Sequence, residues 1–321
     1  MDAQLPPVLA SVTAGDGGAS FVLRALRAAD PSAPVTVILP AMGTPARFYA
    51  PFAHALHGEG LSVVTVDLRG QGESAPRTGR GVRFGYREIV EVDLPAVLAA
   101  VRGQFPGVPL VLLGHSLGGQ LGLLHAATTG ERVDALALIA SGSVWYRGFG
   151  PLLGPRNLVG SQLIAGVCAL RGHWPGRRLG FGGDQPGGVM RDWARQARTG
   201  RYTLDGSSVD YESALRALAL PLLMVGVDND ALAPAGAREH LLSKVPNAAI
   251  DRWQYGEDAA GGKRVDHFRW VRHHAGLGRH VAQWTLKATA DSGCPDTERA
   301  DSGGGRAAES PDSGGGPGAA V

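Results

Sequence analysis

The stretch LVLLGHSLGG at residues 110–119 decides the fold. It begins with a short continuous apolar run, Leu110–Leu113, which is typical of a strand buried on both faces of a parallel sheet. Gly114-His115-Ser116-Leu117-Gly118 follows at once, and a helical pattern then extends to Gly130. A strand that turns into a helix within about one residue holds a serine hydroxyl clear of the sheet edge, and flanking glycines relieve the crowding. We therefore predict a strand–turn–helix unit with Ser116 at its tip.

A serine hydroxyl is a poor nucleophile at neutral pH, so it needs a histidine base that a carboxylate holds. In such folds the acid follows the serine in the chain. A later apolar run, Leu222–Val227, ends in Asp228-Asn229-Asp230, with Pro234 a little further on. Because the carboxyl ends of parallel strands lie on one rim of the sheet, a carboxylate here would share the rim with Ser116. We prefer Asp230 as the acid and leave Asp228 as the alternative.

The base should follow one more strand, for which Ala249–Tyr255 is the candidate. A glycine-rich loop comes next, and His267 then stands at a loop-to-helix junction. We predict that His267 is the base, with His273 in reserve.

Acyl transfer also needs N–H donors that point at the developing oxyanion. One donor is expected from the backbone of Leu117, directly after the serine. The other is expected from the loop that follows the apolar strand ending at Leu39. By position Met42 supplies this second N–H, with Ala41 as the alternative.

Further apolar runs alternate with helical patterns along the chain, at Val35–Leu39, Leu61–Asp67 and Ala135–Ile139. This alternation predicts an α/β fold, with a mostly parallel central sheet and helices on both faces. Between residues 141 and 215 this alternation stops, and the sequence has many glycines and scattered aromatic residues instead. We interpret that stretch as an inserted helical cap. Four segments result: core 1–140, cap 141–215, core 216–286, and a Gly/Ser/Asp-rich tail at 287–321 that we predict to be disordered.

The composition and the motifs that are absent argue against several classes of function. The chain has 321 residues, 44% of them hydrophobic, and a net charge of +2 without a clustered basic face, which argues against nucleic-acid binding. It has two cysteines, no signal-peptide pattern and no apolar run of the roughly 20 residues that a membrane helix needs, so we expect a cytoplasmic protein. No cluster of metal ligands and no phosphate-binding loop in the right context is present, so we expect neither metal nor organic cofactor. The oligomeric state is not predicted.

These motifs resemble those of the α/β-hydrolase superfamily over roughly residues 8–284. Asp67-Leu68-Arg69-Gly70-Gln71-Gly72-Glu73-Ser74 is similar to the superfamily's Asp-x-Arg-Gly-x-Gly-x-Ser turn. Residues 40–43 with 47–49, 175–180 and 266–268 resemble a bacterial group in the serine aminopeptidase and monoacylglycerol-lipase-like clan. Two departures stand out: Pro40-Ala41 replaces the usual His-Gly, and the aspartates fall two and four residues after Gly226 instead of three.

The expected activity is carboxylic-ester hydrolysis through an acyl-enzyme. The apolar and aromatic cap favours a small-molecule substrate with an acyl or aryl part. A thioesterase or amidase on the same three residues is the first alternative. A non-catalytic ligand-binding member of the fold is the second, and the presence of Ser116, Asp230 and His267 together argues against it.

Overall fold

The computed structural model describes residues 4–15, 18–128 and 133–290. Its main feature is an eight-stranded sheet in the order β1-β2-β4-β3-β5-β6-β9-β10. The strands from β4 to β10 in that order pair in parallel, whereas β2 is antiparallel to both β1 and β4. The strands of the large sheet are β1 (Val8–Ala14), β2 (Ala19–Leu26), β3 (Val35–Leu39), β4 (Ser62–Thr65), β5 (Leu110–His115), β6 (Ala135–Ile139), β9 (Pro221–Val227) and β10 (Ala249–Tyr255).

Helices alternate with the strands, as the sequence pattern predicts. The α-helices are α1 (Ala50–Gly58), α2 (Leu94–Gln104), α3 (Leu117–Thr128), α4 (Gly150–Arg171), α5 (Gly176–Leu179), α6 (Gly187–Thr199), α7 (Tyr211–Ala217), α8 (Ala235–Leu242) and α9 (Leu277–Ala290). A π-helical turn at Glu88–Asp93 precedes α2, and short 3₁₀ helices lie at Ala46–Tyr49, Tyr146–Phe149 and Arg269–Val271. This is the predicted α/β architecture, and it is confirmed.

The sheet separates two apolar cores. Side chains along a strand point to alternate faces, so successive residues of β5 enter different cores. Leu112 packs with the face that α2 and α3 cover, whereas Leu113 packs with the face that α1 and α9 cover. Both leucines are fully buried, which explains why this strand is apolar at every position rather than at every second one.

Residues 146–217 lie between β6 and β9 in the chain and hold α4 to α7 with a two-stranded hairpin, β7 (His173–Pro175) and β8 (Asp184–Pro186). Helices α4 and α6 pack against each other. This is the segment in which the sequence predicts an insertion with helices of its own.

At the other end, α9 extends to Ala290, so the first four residues of the predicted tail are helical and the rest of it lies outside the described residues. Within the described part of the chain, no helix combines the length and the apolarity that a bilayer span requires.

Candidate active site

Ser116 occupies the sharp turn between β5 and α3. Its φ angle is 54°, in the left-handed region that residues with side chains rarely adopt. The N–H of Ser116 donates to the carbonyl of Ile139 at 3.2 Å, and its own carbonyl accepts from Gly119 and Gln120 at the start of α3. Backbone bonds on both sides therefore hold the strained turn, and the half-buried side chain lies at the carboxyl edge of the sheet.

The glycines around Ser116 are required by close backbone packing. A Cβ atom on Gly114 would lie 2.2 Å from the Cα of Gly119, and one on Gly118 would lie 2.2 Å from the carbonyl oxygen of Leu39. Both distances are far below a van der Waals contact. The Gly-x-Ser-x-Gly spacing thus lets α3 approach β5 and the loop after β3 closely.

Asp230 and His267 form a buried pair. Nδ1 of His267 lies 2.9 Å from both carboxylate oxygens of Asp230. The Oδ1 atom also accepts the N–H groups of Leu232 and Ala233, at 2.8 and 2.9 Å, and these bonds fix the carboxylate's position. Because an ionised carboxylate only accepts, Nδ1 of His267 is the protonated nitrogen, and in the neutral ring Nε2 is left with its lone pair.

The alternatives for the acid and the base, Asp228 and His273, lie elsewhere. The carboxylate of Asp228 accepts from Nε2 of Gln254 at 2.7 Å, and its backbone N–H donates to Tyr255. The backbone carbonyl of His273 accepts from the Tyr255 hydroxyl. Neither Asp228 nor His273 lines the cavity that contains Ser116.

The predicted oxyanion loop, which carries Ala41 and Met42, is held by two polar contacts. The N–H of Ala41 donates to the hydroxyl of Tyr49 at 2.9 Å. Asp67 accepts the N–H of Ala46 at 2.6 Å and that of Glu73 at 2.8 Å, so the Asp-x-Arg-Gly turn supports the chain just beyond the loop. These contacts fix the loop from both ends.

A buried cluster beneath the site was not predicted from the sequence. His115, which is fully buried, lies with Nδ1 2.7 Å from the hydroxyl of Tyr49 and with Nε2 3.4 Å from Nε1 of Trp270. Because Trp270 donates to Nε2, neutral His115 carries its proton on Nδ1 and donates it to Tyr49. Burial, followed by the nearby His267, holds the pKa of His115 well below its usual range. Neither Tyr49 nor Trp270 stands in a motif that assigns it a role, and no spacing in the sequence pairs them with His115.

The five predicted residues, Met42, Ser116, Leu117, Asp230 and His267, meet at one place in the fold. Four of them line a single cavity of about 570 Å³, and Asp230 lies directly behind His267. No hydrogen bond joins Ser116 to His267 directly among the described contacts, which is common before a substrate is bound. The wall opposite the serine comes from residues 149–197 and carries Phe149, Ile164, Phe181 and Trp193.

Among the described residues, no group of three or more His, Cys, Asp and Glu side chains is arranged to hold a metal ion. The arrangement that is present, a strained serine beside a histidine–carboxylate pair and a glycine-containing loop, is suited to nucleophilic attack on a carbonyl carbon followed by proton transfer.

Comparison with known proteins bears on the fold. The sequence profile of the serine aminopeptidase family S33 matches residues 30–153, which include β3 to β6 and Ser116. A putative lipase from Acinetobacter baumannii superposes with a TM-score of 0.58 at 17% identity over 88% of this chain and 93% of that one. Est1E from Butyrivibrio proteoclasticus, solved with ferulic acid, gives a TM-score of 0.57 at 17% identity, with coverage of 86% and 97%.

An enol-lactonase from Burkholderia xenovorans gives a TM-score of 0.52 at 16% identity, with coverage of 84% and 97%. At these identities the superpositions establish the fold. Together with the profile match over residues 30–153, they show that this chain has the α/β-hydrolase fold.

Proposed function

We propose that this chain is a serine hydrolase that cleaves carboxylic esters through an acyl-enzyme, with Ser116 as nucleophile, His267 as base and Asp230 as acid. The observation that carries the proposal is the cavity itself. It brings Ser116, in its strained turn, together with a histidine whose other nitrogen is bonded to a buried carboxylate.

In the first half of the proposed reaction, Nε2 of His267 takes the hydroxyl proton of Ser116 while Oγ bonds to the carbonyl carbon. Asp230 stabilises the imidazolium that forms. The carbonyl oxygen becomes an oxyanion, which the backbone N–H groups of Leu117 and Met42 bind. When the tetrahedral intermediate collapses, the C–O bond to the alcohol breaks and His267 returns its proton to the departing alcohol oxygen.

In the second half, a water molecule gives a proton to His267 and its oxygen attacks the acyl carbon. The bond to Ser116 Oγ breaks, Oγ recovers the proton, and the carboxylic acid leaves. The same residues would cleave a thioester or an amide, since only the leaving atom differs. The volume of the cavity and its apolar wall support an ester with an acyl or aryl part.

We further propose that residues 141–215 act as a cap. The helices of this segment supply the wall that faces Ser116, so a substrate that enters the cavity is held between the cap and the sheet. Enclosure of this kind excludes water from the reacting carbonyl and strengthens the oxyanion contacts.

The first test is hydrolysis of p-nitrophenyl esters from acetate to decanoate by the wild type and by Ser116→Ala. We expect the wild type to be active, with an optimum chain length that reports the depth of the cavity, and the variant to be inactive. Asp230→Asn and Asp228→Asn form a matched pair, because both remove one charge from the same loop. We expect Asp230→Asn to lower kcat by about 10⁴-fold and Asp228→Asn to leave it near the wild-type value.

Labelling with a fluorophosphonate probe separates the alternatives. A folded wild type that hydrolyses no ester but is labelled at Ser116 would redirect the proposal to thioesters or amides. A folded wild type that is neither active nor labelled would favour the non-catalytic, ligand-binding reading. Equal losses in Asp230→Asn and Asp228→Asn would contradict the assignment of the acid.

A further inference from the structure

The cavity around Ser116 is apolar except for a few polar side chains, and most of these are already bonded. Nε2 of Gln120 donates to the carbonyl of Gly142 at 2.8 Å, and its Oε1 accepts from Tyr202 at 3.1 Å. The hydroxyl of Ser161 donates to the carbonyl of Leu158 at 2.7 Å. Each of these side chains is therefore already held by a protein partner.

Arg156 and Asn157 differ from the rest of the cavity wall. They are adjacent on α4 and both line the cavity, with Arg156 exposed and Asn157 half-buried. Among the described residues, neither side chain has a hydrogen bond or an ion pair with another group. Arg156 is also the one residue with a full formal charge in the described lining, and no carboxylate lines the cavity to balance it.

The charge of the surrounding segment reinforces that of Arg156. Residues 146–200 contain eight arginines, two aspartates, and no lysine or glutamate, so they carry a formal +6, whereas the whole chain carries +2. Both aspartates are taken up by other arginines: Asp184 lies 3.6 Å from Arg177, and Asp192 lies 3.1 Å from Arg195. The segment is therefore positive overall, and neither of its aspartates pairs with Arg156.

We propose that Arg156 and Asn157 form a subsite for an anionic group of the substrate, so that the enzyme prefers esters whose far end bears a carboxylate or a similar anion. A guanidinium presents several N–H donors in a fixed fork that matches a carboxylate, and the neighbouring amide adds another donor. The apolar wall accepts the chain between the anion and the ester carbon. This substrate preference rests on the proposed ester hydrolysis, whereas the binding of the anion does not.

The test compares two series of p-nitrophenyl esters with equal chain lengths: monoesters of dicarboxylic acids from glutarate to sebacate, and esters of the corresponding monocarboxylic acids. The control is Arg171→Ala, which removes the same charge from the other end of α4, away from this cavity. We expect Arg156→Ala to lower kcat/KM for the anionic esters by tenfold or more, mainly through KM, and to leave the neutral esters within about twofold. Asn157→Ala should give a smaller loss, because a neutral amide forms weaker hydrogen bonds with an anion.

A second measurement needs no catalysis. Octanesulfonate and octanol have the same chain length and are not substrates, so the shift in melting temperature that each produces reports binding alone. We expect octanesulfonate to stabilise the wild type and Arg171→Ala, and to lose this effect in Arg156→Ala.

The outcomes separate the two proposals. If Arg156→Ala lowered kcat/KM by the same factor for the anionic and the neutral esters, or for neither series, the subsite would be overturned. If the wild type cleaved no ester while octanesulfonate bound through Arg156, the subsite would stand and ester hydrolysis would fall. If the wild type hydrolysed neutral esters but no anion bound at Arg156, ester hydrolysis would stand and the subsite would fall.

Discussion

The substitution Gly118→Ala tests whether close packing of the serine turn also positions the oxyanion loop. A Cβ atom there would lie 2.2 Å from the carbonyl oxygen of Leu39 and 2.6 Å from that of Pro40. Ordinary contacts begin near 3.4 Å, so these backbone oxygens must move by about 1 Å. Overpacking of this kind costs about 1–3 kcal/mol of stability. Because Pro40 directly precedes the loop of Ala41 and Met42, a 1 Å shift there should also cost about 10²-fold in rate.

The matched control is Gly103→Ala. Gly103 lies in α2 with no atom within 4 Å of the added methyl, so alanine should stabilise that helix by about 0.5–1 kcal/mol and leave activity unchanged. Urea unfolding gives the free energy of unfolding of each variant, and p-nitrophenyl butyrate gives kcat/KM for the folded fraction. Wild-type kcat/KM in a destabilised Gly118→Ala would refute the link to the oxyanion loop. If Gly118→Ala also had the stability of the wild type, the packing argument would be refuted.

Two further substitutions probe buried polar groups. Burial raises the pKa of Asp192 from its ordinary value of 3.8 to about 6, so the folded protein binds more protons than the unfolded chain between these values. The wild type should therefore lose about 3 kcal/mol of stability as pH rises from about 3 to about 7, and urea titrations of Asp192→Asn should lack this part of the slope. Tyr49→Phe removes the hydroxyl that accepts from the Ala41 N–H and from His115, so two buried donors are left unsatisfied. The variant should lose about 1–3 kcal/mol of stability per donor and have a lower kcat. Wild-type stability would contradict the assigned bonds.

The central strands could be predicted from sequence because burial on both faces leaves a clear signature. The runs Val35–Leu39 and Ala135–Ile139 are β3 and β6. The edge strand β10 also has its predicted bounds, Ala249–Tyr255, although most of its residues are exposed or half-buried. The strand predicted at Leu61–Asp67 is shorter in the structure, ending at Thr65. The edge strand β1 carries an alternating, partly exposed pattern and no continuous apolar run, so it was not identified.

The choice between Asp228 and Asp230 shows why a motif alone did not settle the geometry. The N–H of Asp228 still donates to Tyr255, which continues the β9–β10 pairing by one residue. Asn229 then adopts a φ of 58° and turns the chain, and its side chain donates to the carbonyl of Val265 at 3.2 Å. That turn directs Asp230 towards His267. With Asn229 in this left-handed conformation, the proposed acid falls four residues after Gly226, and asparagine is among the residues that tolerate the conformation best.

The buried cluster around His115 explains how the site remains aligned across three separate parts of the chain. Tyr49 bonds both to His115 and to the oxyanion loop at Ala41, while Trp270 bonds to His115 from the turn that follows His267. The rings of His115 and His267 lie with their centroids 4.9 Å apart. Because His115 directly precedes Ser116, the serine, the proposed oxyanion loop and the proposed base share one set of contacts among buried side chains. A neutral histidine suits this position, since it donates on one side and accepts on the other, and protonation would leave Trp270 facing a donor. Burial lowers the pKa of His115, which favours the neutral form that these contacts require.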